Sequence, residues 1–307
     1  MKKAVQKILV TGSSGTVGTR LCEKLLERNY RLIGVDWKPN IWNKKIYEIT
    51  IRADLRDKAS FRDIPADIDL ICHLAANARV YKTVQDPNVA RDNFETTFNT
   101  LNFAREHHIR KFLFTSSRET YGNSDTTVLA EHEARIENSE SPYAAAKIGG
   151  EALVRAFGQC YDMDFIILRL SNVYGMYDSS DRVIPEFIRC AKENKDLMVF
   201  GKEKLLDFTY IDDCISGIIK SIENFDRAKN DTYNIASGKG TPLTKVAQLI
   251  QRHMKSSGKV VIKESRTGEV VKFTADISKA RAKLGYEPKV GIREGLERAA
   301  QWYNSNI

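Results

Sequence analysis

The sequence has no uninterrupted apolar run of about 18 residues, the least that crosses a bilayer as a helix, so no membrane span is expected. Cysteine is scarce: Cys22, Cys72, Cys160, Cys190 and Cys214 are widely spread. No pair has metal-ligand spacing and nothing suggests a disulfide framework, so no metal is expected and a reducing cytoplasm fits. The opening "MKKAVQKILVTGSSG" is not a secretory leader, because its apolar part is too short and runs straight into a glycine loop. There is no internal repeat, low-complexity tract or long linker. There is no long basic run either: 48 Lys and Arg are scattered among 40 Asp and Glu, net +8. That pattern argues against a nucleic-acid partner. A phosphorylated small molecule or a solvated surface accounts for the mild excess.

What is present is alternation. The runs "KILVTG", "RLIGVD", "YEITIRAD", "DLICHLAA", "KFLFTSS" and "DFIILRL" are short and apolar, with helix-like patterns between most of them. Buried parallel strands have this appearance. The expectation is an α/β chain: a Rossmann-like, doubly wound parallel sheet followed by a smaller C-terminal α/β lobe for a substrate. The first domain is drawn over 1–172, with 205–228 returning to it. The second lobe is drawn over 173–204 and 229–307.

"KILVTGSSGTVGTRLCEKLL" places Gly12, Gly15 and Gly18 between a strand and a helix. Glycine lets a pyrophosphate approach the helix N-terminus, where free N–H groups favour an anion. The loop residues Ser14, Thr16 and Val17 share that contact. Asp36 ends the second strand, where an acid takes ribose hydroxyls and repels the 2′-phosphate of NADP, so NAD is the expected cofactor. Asp54 of "ADLRD" is the candidate for the adenine amino group, beside Leu55. Leu74, Ala75 and Ala76 of "HLAA" leave room for a cofactor against the backbone. His73 lies within its strand and reads as structural; His107 and His108 read as a helix terminus.

"SPYAAAKIGGEAL" puts Tyr143 and Lys147 at i and i+4 on one helix face, with Ser117 upstream. A phenol titrates near 10. Lys147 and a positive nicotinamide are expected to lower it by about 3 units, which makes Tyr143 a base at a sugar hydroxyl. Ser117 would hydrogen-bond that oxygen. Ser117, Tyr143 and Lys147 are thus candidate catalytic residues, with Glu119 beside them, and Tyr143 and Lys147 also touch the cofactor.

On "TGSSGTVG", Asp36, "ADLRD", "HLAA", "TSSRETYG", "SPYAAAK" and "RLSNVYG", and on "RVIPEFI", "DFTYIDD" and "RTGEVVKFTADISKARAKLGYEP", the chain resembles the extended short-chain dehydrogenase/reductases that act on nucleotide sugars. The resemblance covers essentially the whole chain. It implies tightly held NAD, a nucleotide-sugar substrate and a homodimer packed through helices of the first domain. It also implies Asn93 by the cofactor and Asn172 at the substrate diphosphate. Arg266 and Glu269 would hold diphosphate and nucleotide ribose, and Val183 and Phe200 would line the substrate site.

Two departures bear on the chemistry. Leu206 stands where many such proteins have an arginine before "DFTY", with Lys204 nearby as a substitute. "SRETYG" replaces the acid of the dehydratases with Arg118, and a guanidinium is no general acid at neutral pH. A UDP-sugar 4-epimerase needs only the Ser, Tyr and Lys. A UDP-glucuronate decarboxylase, a dehydratase and a non-enzymatic NAD-sensing relative are the alternatives; the decarboxylases carry an arginine where Phe273 or Thr274 stands. Both Arg118 and Glu119 fall in the substrate region. Because neighbours on an extended chain face opposite ways, Glu119 is expected to face the sugar and Arg118 to point away or toward an acid of "EHEARIENSE".

Overall fold

A computed structural model describes residues 6–306. Successive side chains of a strand face opposite sides, and here both sides are apolar. Ile8, Val10, Leu70, Cys72, Leu113, Ile166 and Leu168 enter one core. Leu9, Ile71, Phe112, Phe114, Phe165 and Ile167 enter another. A sheet apolar on both faces must be covered on both. Helices Thr16–Leu26 and Ile211–Glu223 cover the first face, and Asn88–Glu106 and Pro142–Tyr161 the second.

The seven-stranded sheet runs, from one edge, Asp231–Ile235, Asp164–Leu170, Lys111–Ser117, Leu70–His73, Lys7–Thr11, Arg31–Asp36 and Thr50–Arg52. Every pairing in it is parallel. Chain order reverses at Lys7–Thr11, so a crevice opens beyond its carboxyl end.

Six of the seven strands coincide with the apolar runs of the sequence. In "YEITIRAD" only Thr50–Arg52 is strand; Tyr47 to Ile49 close the helix Lys44–Ile49, whose Asn43 cap accepts from the Ile46 amide at 3.3 Å. The seventh strand, Asp231–Ile235, was drawn into the second lobe but pairs with Asp164–Leu170. Its apolar pattern is broken by Asn234, which is fully buried and donates to Leu129 O and Asp276 O, at 3.0 Å each. The segment 205–228 divides: its helix covers the large sheet, whereas its strand, Leu205–Tyr210, belongs to a second sheet.

That second sheet holds Gly240–Pro242, Leu205–Tyr210, Lys272–Ala275 and Val128–Leu129, with Asn172–Tyr174 also paired to Leu205–Tyr210. Leu197–Phe200 and Val260–Lys263 form a separate parallel pair. The first core continues into this lobe through Phe208, Phe273 and Leu296. Asp207 is buried there and accepts from the Ser237 amide (2.9 Å), the Ser237 hydroxyl (2.6 Å) and the Gly238 amide (2.9 Å). Burial pushes its carboxyl up, and those donors oppose the rise.

The helix Ile292–Asn306 brings Trp302 against Trp42 and Tyr177, with ring centres 5.3 and 5.4 Å apart. The same Tyr177 accepts at its carbonyl from the Thr16 hydroxyl (3.0 Å), and its phenol donates to Glu23 (2.9 Å).

Candidate active site

The glycine loop stands at the topological switch. Gly12 has φ +72°, a conformation that suits glycine, and a Cβ there would lie 2.9 Å from the Ala75 amide. At Gly18 a Cβ would collide with the Gly12 carbonyl. Gly15 starts the helix Thr16–Leu26 without a side-chain cap, so its first amides are open to an anion. The Ser14 hydroxyl is buried without a partner, a donor that a phosphate oxygen would satisfy. Val17 lines the neighbouring cavity. These residues fit a dinucleotide's pyrophosphate.

Around the loop, Asp36 accepts from the Ser14 amide (3.0 Å) and the Lys38 amide (2.9 Å). Burial pushes its carboxyl up, and the two amides work against that. Thr11 accepts from the Leu74 and Ala75 amides at 3.2 Å each, which pins "HLAA" to the first strand. Ala76 follows, half-buried. His73 is buried between the Thr11 and Thr97 hydroxyls at 2.8 and 3.2 Å, consistent with its structural reading. Asp54 is engaged by Arg56, which holds its carboxyl below the usual range. Leu55 packs into the second core. Asn93 accepts from the Asn77 amide (2.7 Å) and donates to the Asn77 carbonyl (3.0 Å), so it braces the segment after "HLAA".

A cavity of about 840 Å³ extends from Val17 between the two sheets. Ser117, Arg118, Glu119, Tyr143, Lys147, Asn172, Val183, Phe200, Arg266 and Glu269 all line it. The Ser141 hydroxyl caps the helix Pro142–Tyr161, accepting from the Ala144 amide at 3.2 Å, and Pro142 occupies the first turn. Gly150 lets that helix lie against Phe114, since a Cβ there would be 2.7 Å from the ring. The tyrosine and lysine are thereby laid against the end of the strand Lys111–Ser117. The floor beneath them is a buried network: Glu151 accepts from the Ser116 hydroxyl (2.6 Å) and from Arg169 Nε and Nη2 (2.9 and 2.7 Å).

Burial pushes the Tyr143 phenol up to about 12, although a hydrogen bond with Ser117 and the charges of Arg182 and Arg118 pull the other way. Lys147 is pushed down to about 8 by burial, with Glu151 opposing. Its ammonium donates to the Thr115 carbonyl (2.8 Å) and lies 6.0 Å from the centre of the Tyr143 ring. Desolvation of the buried phenolate outweighs the cations the chain supplies.

Arg118 does not point away. The strand ends at Ser117, whose hydroxyl accepts from the Glu119 amide at 3.2 Å, and the chain turns into the 3₁₀ helix Arg118–Tyr121. Strand alternation stops there, and both side chains fold toward one another. Arg118 Nη2 meets Glu119 Oε1 at 2.7 Å, and Arg118 Nε donates to Asn172 Oδ1 at 3.1 Å. Asn172 in turn donates to the Asp207 carbonyl at 2.9 Å, so its amide holds protein rather than standing free. Lys204 is paired with Glu269, and Arg266 stacks over Phe200 at 4.0 Å. Arg79, Lys82 and Arg182 add positive charge to the cavity wall; "ARVYK" after "HLAAN" and the first residue of "RVIPEFI" carried that signal unused.

With this geometry in view, comparison with known proteins is direct. The model of the NAD dependent epimerase/dehydratase family matches residues 8–236. A putative UDP-glucose 4-epimerase of Methanocaldococcus jannaschii is 32% identical over 97% of this chain and 99% of its own length. A UDP-glucuronate 4-epimerase of Thermodesulfobacterium geofontis is 30% identical over 97% and 96%. The crystal structure of UDP-glucuronic acid 4-epimerase from Bacillus cereus, in complex with UDP-glucuronic acid and NAD, superposes with a TM-score of 0.89. It is 28% identical, with 98% of this chain and 100% of that one covered. The chain belongs to the NAD dependent epimerase/dehydratase family.

Proposed function

We propose that this member of the family is an NAD-dependent 4-epimerase of a UDP-sugar. The observation that carries the reading is that Ser117, Tyr143 and Lys147 line one cavity, which reaches Val17 in the first turn of the helix after the glycine loop. Bound NAD supplies a reversible acceptor for the hydrogen on the sugar C4. Tyr143 takes the proton of the C4 hydroxyl and later returns it. Ser117, within hydrogen-bonding reach of Tyr143, donates to the C4 oxygen while it is a carbonyl. Lys147 keeps a positive charge next to the tyrosine. A cavity of about 840 Å³ is in the range that encloses a ligand of this size, with space for the 4-keto sugar to present its other face.

Glycine-loop residues and Asp36 hold NAD in this reading, and the lobe beyond residue 172 holds the nucleotide sugar. Arg266 and Arg182 suit its diphosphate by their forked donors. A homodimer through Asn88–Glu106 and Pro142–Tyr161 belongs to the same reading, supported by the exposed rings of Phe94, Phe98 and Tyr161 on those helices. So does a cytoplasmic location, supported by cysteines that are free thiols. No helix among the described residues is long and apolar enough to cross a membrane.

The test is a panel of sugar nucleotides with NAD, followed by NMR. Inversion at C4 is expected. Loss of CO₂ from a UDP-uronic acid, or of water from a UDP-hexose, would assign the site to decarboxylation or dehydration instead.

A further inference from the structure

Arg266 belongs to the loop between Val260–Lys263 and Lys272–Ala275 in the second lobe. Its guanidinium lies 4.0 Å from the centre of the Phe200 ring, in the same lobe, and 5.1 Å from the centre of the Tyr81 ring, on the short helix Val80–Gln85 of the first domain. All three side chains line the substrate cavity, and Arg266 and Tyr81 are exposed. Among the described residues no acceptor engages the Arg266 N–H groups, and Glu269 of the same loop is taken by Lys204.

The loop meets the helix at a second point. Tyr81 and Val84 stand at i and i+3, on one helix face. Gly268, with φ +80°, lies against that Val84: a Cβ there would be 2.8 Å from Val84 Cγ2 and 3.3 Å from the Glu140 carbonyl oxygen. A Cβ at Gly201, next to Phe200, would collide with the Ser265 hydroxyl. Two glycines thus seat the loop closely against both the first domain and its own lobe.

We propose that Tyr81 is a positioning residue for the substrate: it holds Arg266 at the cavity with its N–H groups free for the diphosphate. The proposal rests on the UDP-sugar reading above and adds a residue of the first domain to the phosphate site of the second lobe. A ring attracts a guanidinium to its face, which leaves the in-plane N–H groups for a phosphate to take two at a time. An arginine already held by rings also has less rotamer freedom to lose when it binds. Phe200 shares a lobe with Arg266. Tyr81 instead ties the arginine to the domain that carries Ser117 and Tyr143.

The measurement is calorimetry on the NAD-loaded protein with UDP and UMP, which carry two phosphates and one. Tyr81→Leu should weaken UDP about two- to fivefold, the worth of a cation–π contact at an exposed site, and UMP less. Tyr81→Phe keeps the ring and should bind UDP as the wild type does. On an Arg266→Met background, Tyr81→Leu should add no further loss. An unchanged UDP affinity in Tyr81→Leu, an equal loss for UMP or in Tyr81→Phe, or the same loss with and without Arg266 overturns the proposal. Coupling of Tyr81 to Arg266 in a protein that inverts no C4 centre would support the positioning role while removing the epimerase reading. C4 inversion without that coupling would remove the positioning role alone. Failure of the wild type to bind UDP would remove both.

Discussion

The Lys147 ammonium is held 2.8 Å from the Thr115 carbonyl oxygen and 6.0 Å from the centre of the Tyr143 ring, four residues back on the same helix. The lysine is thus fixed by the strand that ends at Ser117. With the phenol pushed up to about 12 and the ammonium down to about 8, the chain alone leaves Tyr143 protonated at neutral pH. In the proposed reading, positive charge added beside Tyr143 is what would make it a base.

In the proposed reading, Tyr143→Phe removes the group that exchanges a proton with the C4 hydroxyl. Turnover is expected to fall by more than about 10²-fold while NAD and the UDP-sugar still bind. Retention of more than about a tenth of wild-type kcat, under 1.4 kcal/mol of barrier, would show that another group is the base.

The displaced lysine should also be visible in stability. Its folded value, about 8, lies below the ordinary 10.5, so between those pH values the unfolded chain binds more protons than the folded one. Stability then rises with pH through that window. Lys147→Met should remove this rise, flattening the slope by up to 1.36 kcal/mol per pH unit. Urea unfolding of both proteins at pH 8, 9 and 10 measures it, and parallel curves would contradict the assignment.

Asp36 should set cofactor choice. Its carboxylate is held by two backbone amides at the end of its strand, where a 2′-phosphate would meet it. Calorimetry should find NAD bound far more tightly than NADP, and Asp36→Asn should narrow the gap. Tighter NADP binding by the wild type would contradict this.

Glu151 and Arg169 form a buried pair joined to Ser116, the neighbour of Ser117 in the cavity lining. Removing one partner leaves a buried charge alone, so Glu151→Ala should cost about 3–5 kcal/mol in urea unfolding. Glu151→Ala with Arg169→Met should recover part of that loss. A single substitution costing under about 1 kcal/mol would show the pair to be solvated.

The large sheet was legible because burial on both faces writes apolar runs that need no tertiary knowledge to see. The glycine loop, Asp36 and the Tyr143–Lys147 spacing were legible because backbone geometry fixes them locally. Asp231–Ile235 was not, since Asn234 is buried by partners 105 and 42 residues away. The facing of Arg118 was not, because one hydroxyl cap at Ser117 turns strand into 3₁₀ helix. The roles of Asn93, Asn172 and Lys204 also depend on which neighbour each meets, Asn77, Asp207 and Glu269. Periodicity carries no record of such meetings.

The contact of Trp302 with Tyr177, and of Tyr177 with Thr16, sets a schedule for synthesis. The start of the helix after the glycine loop leaves the ribosome well before the tyrosine that accepts from Thr16, 161 residues further along. The tryptophan that steadies this tyrosine comes far later still. A nascent chain stalled before residue 302 would hold Tyr177 without its tryptophan partner. Cofactor capture should accordingly wait for the C-terminal helix, and shortening that helix should be felt first at the opposite end of the sequence.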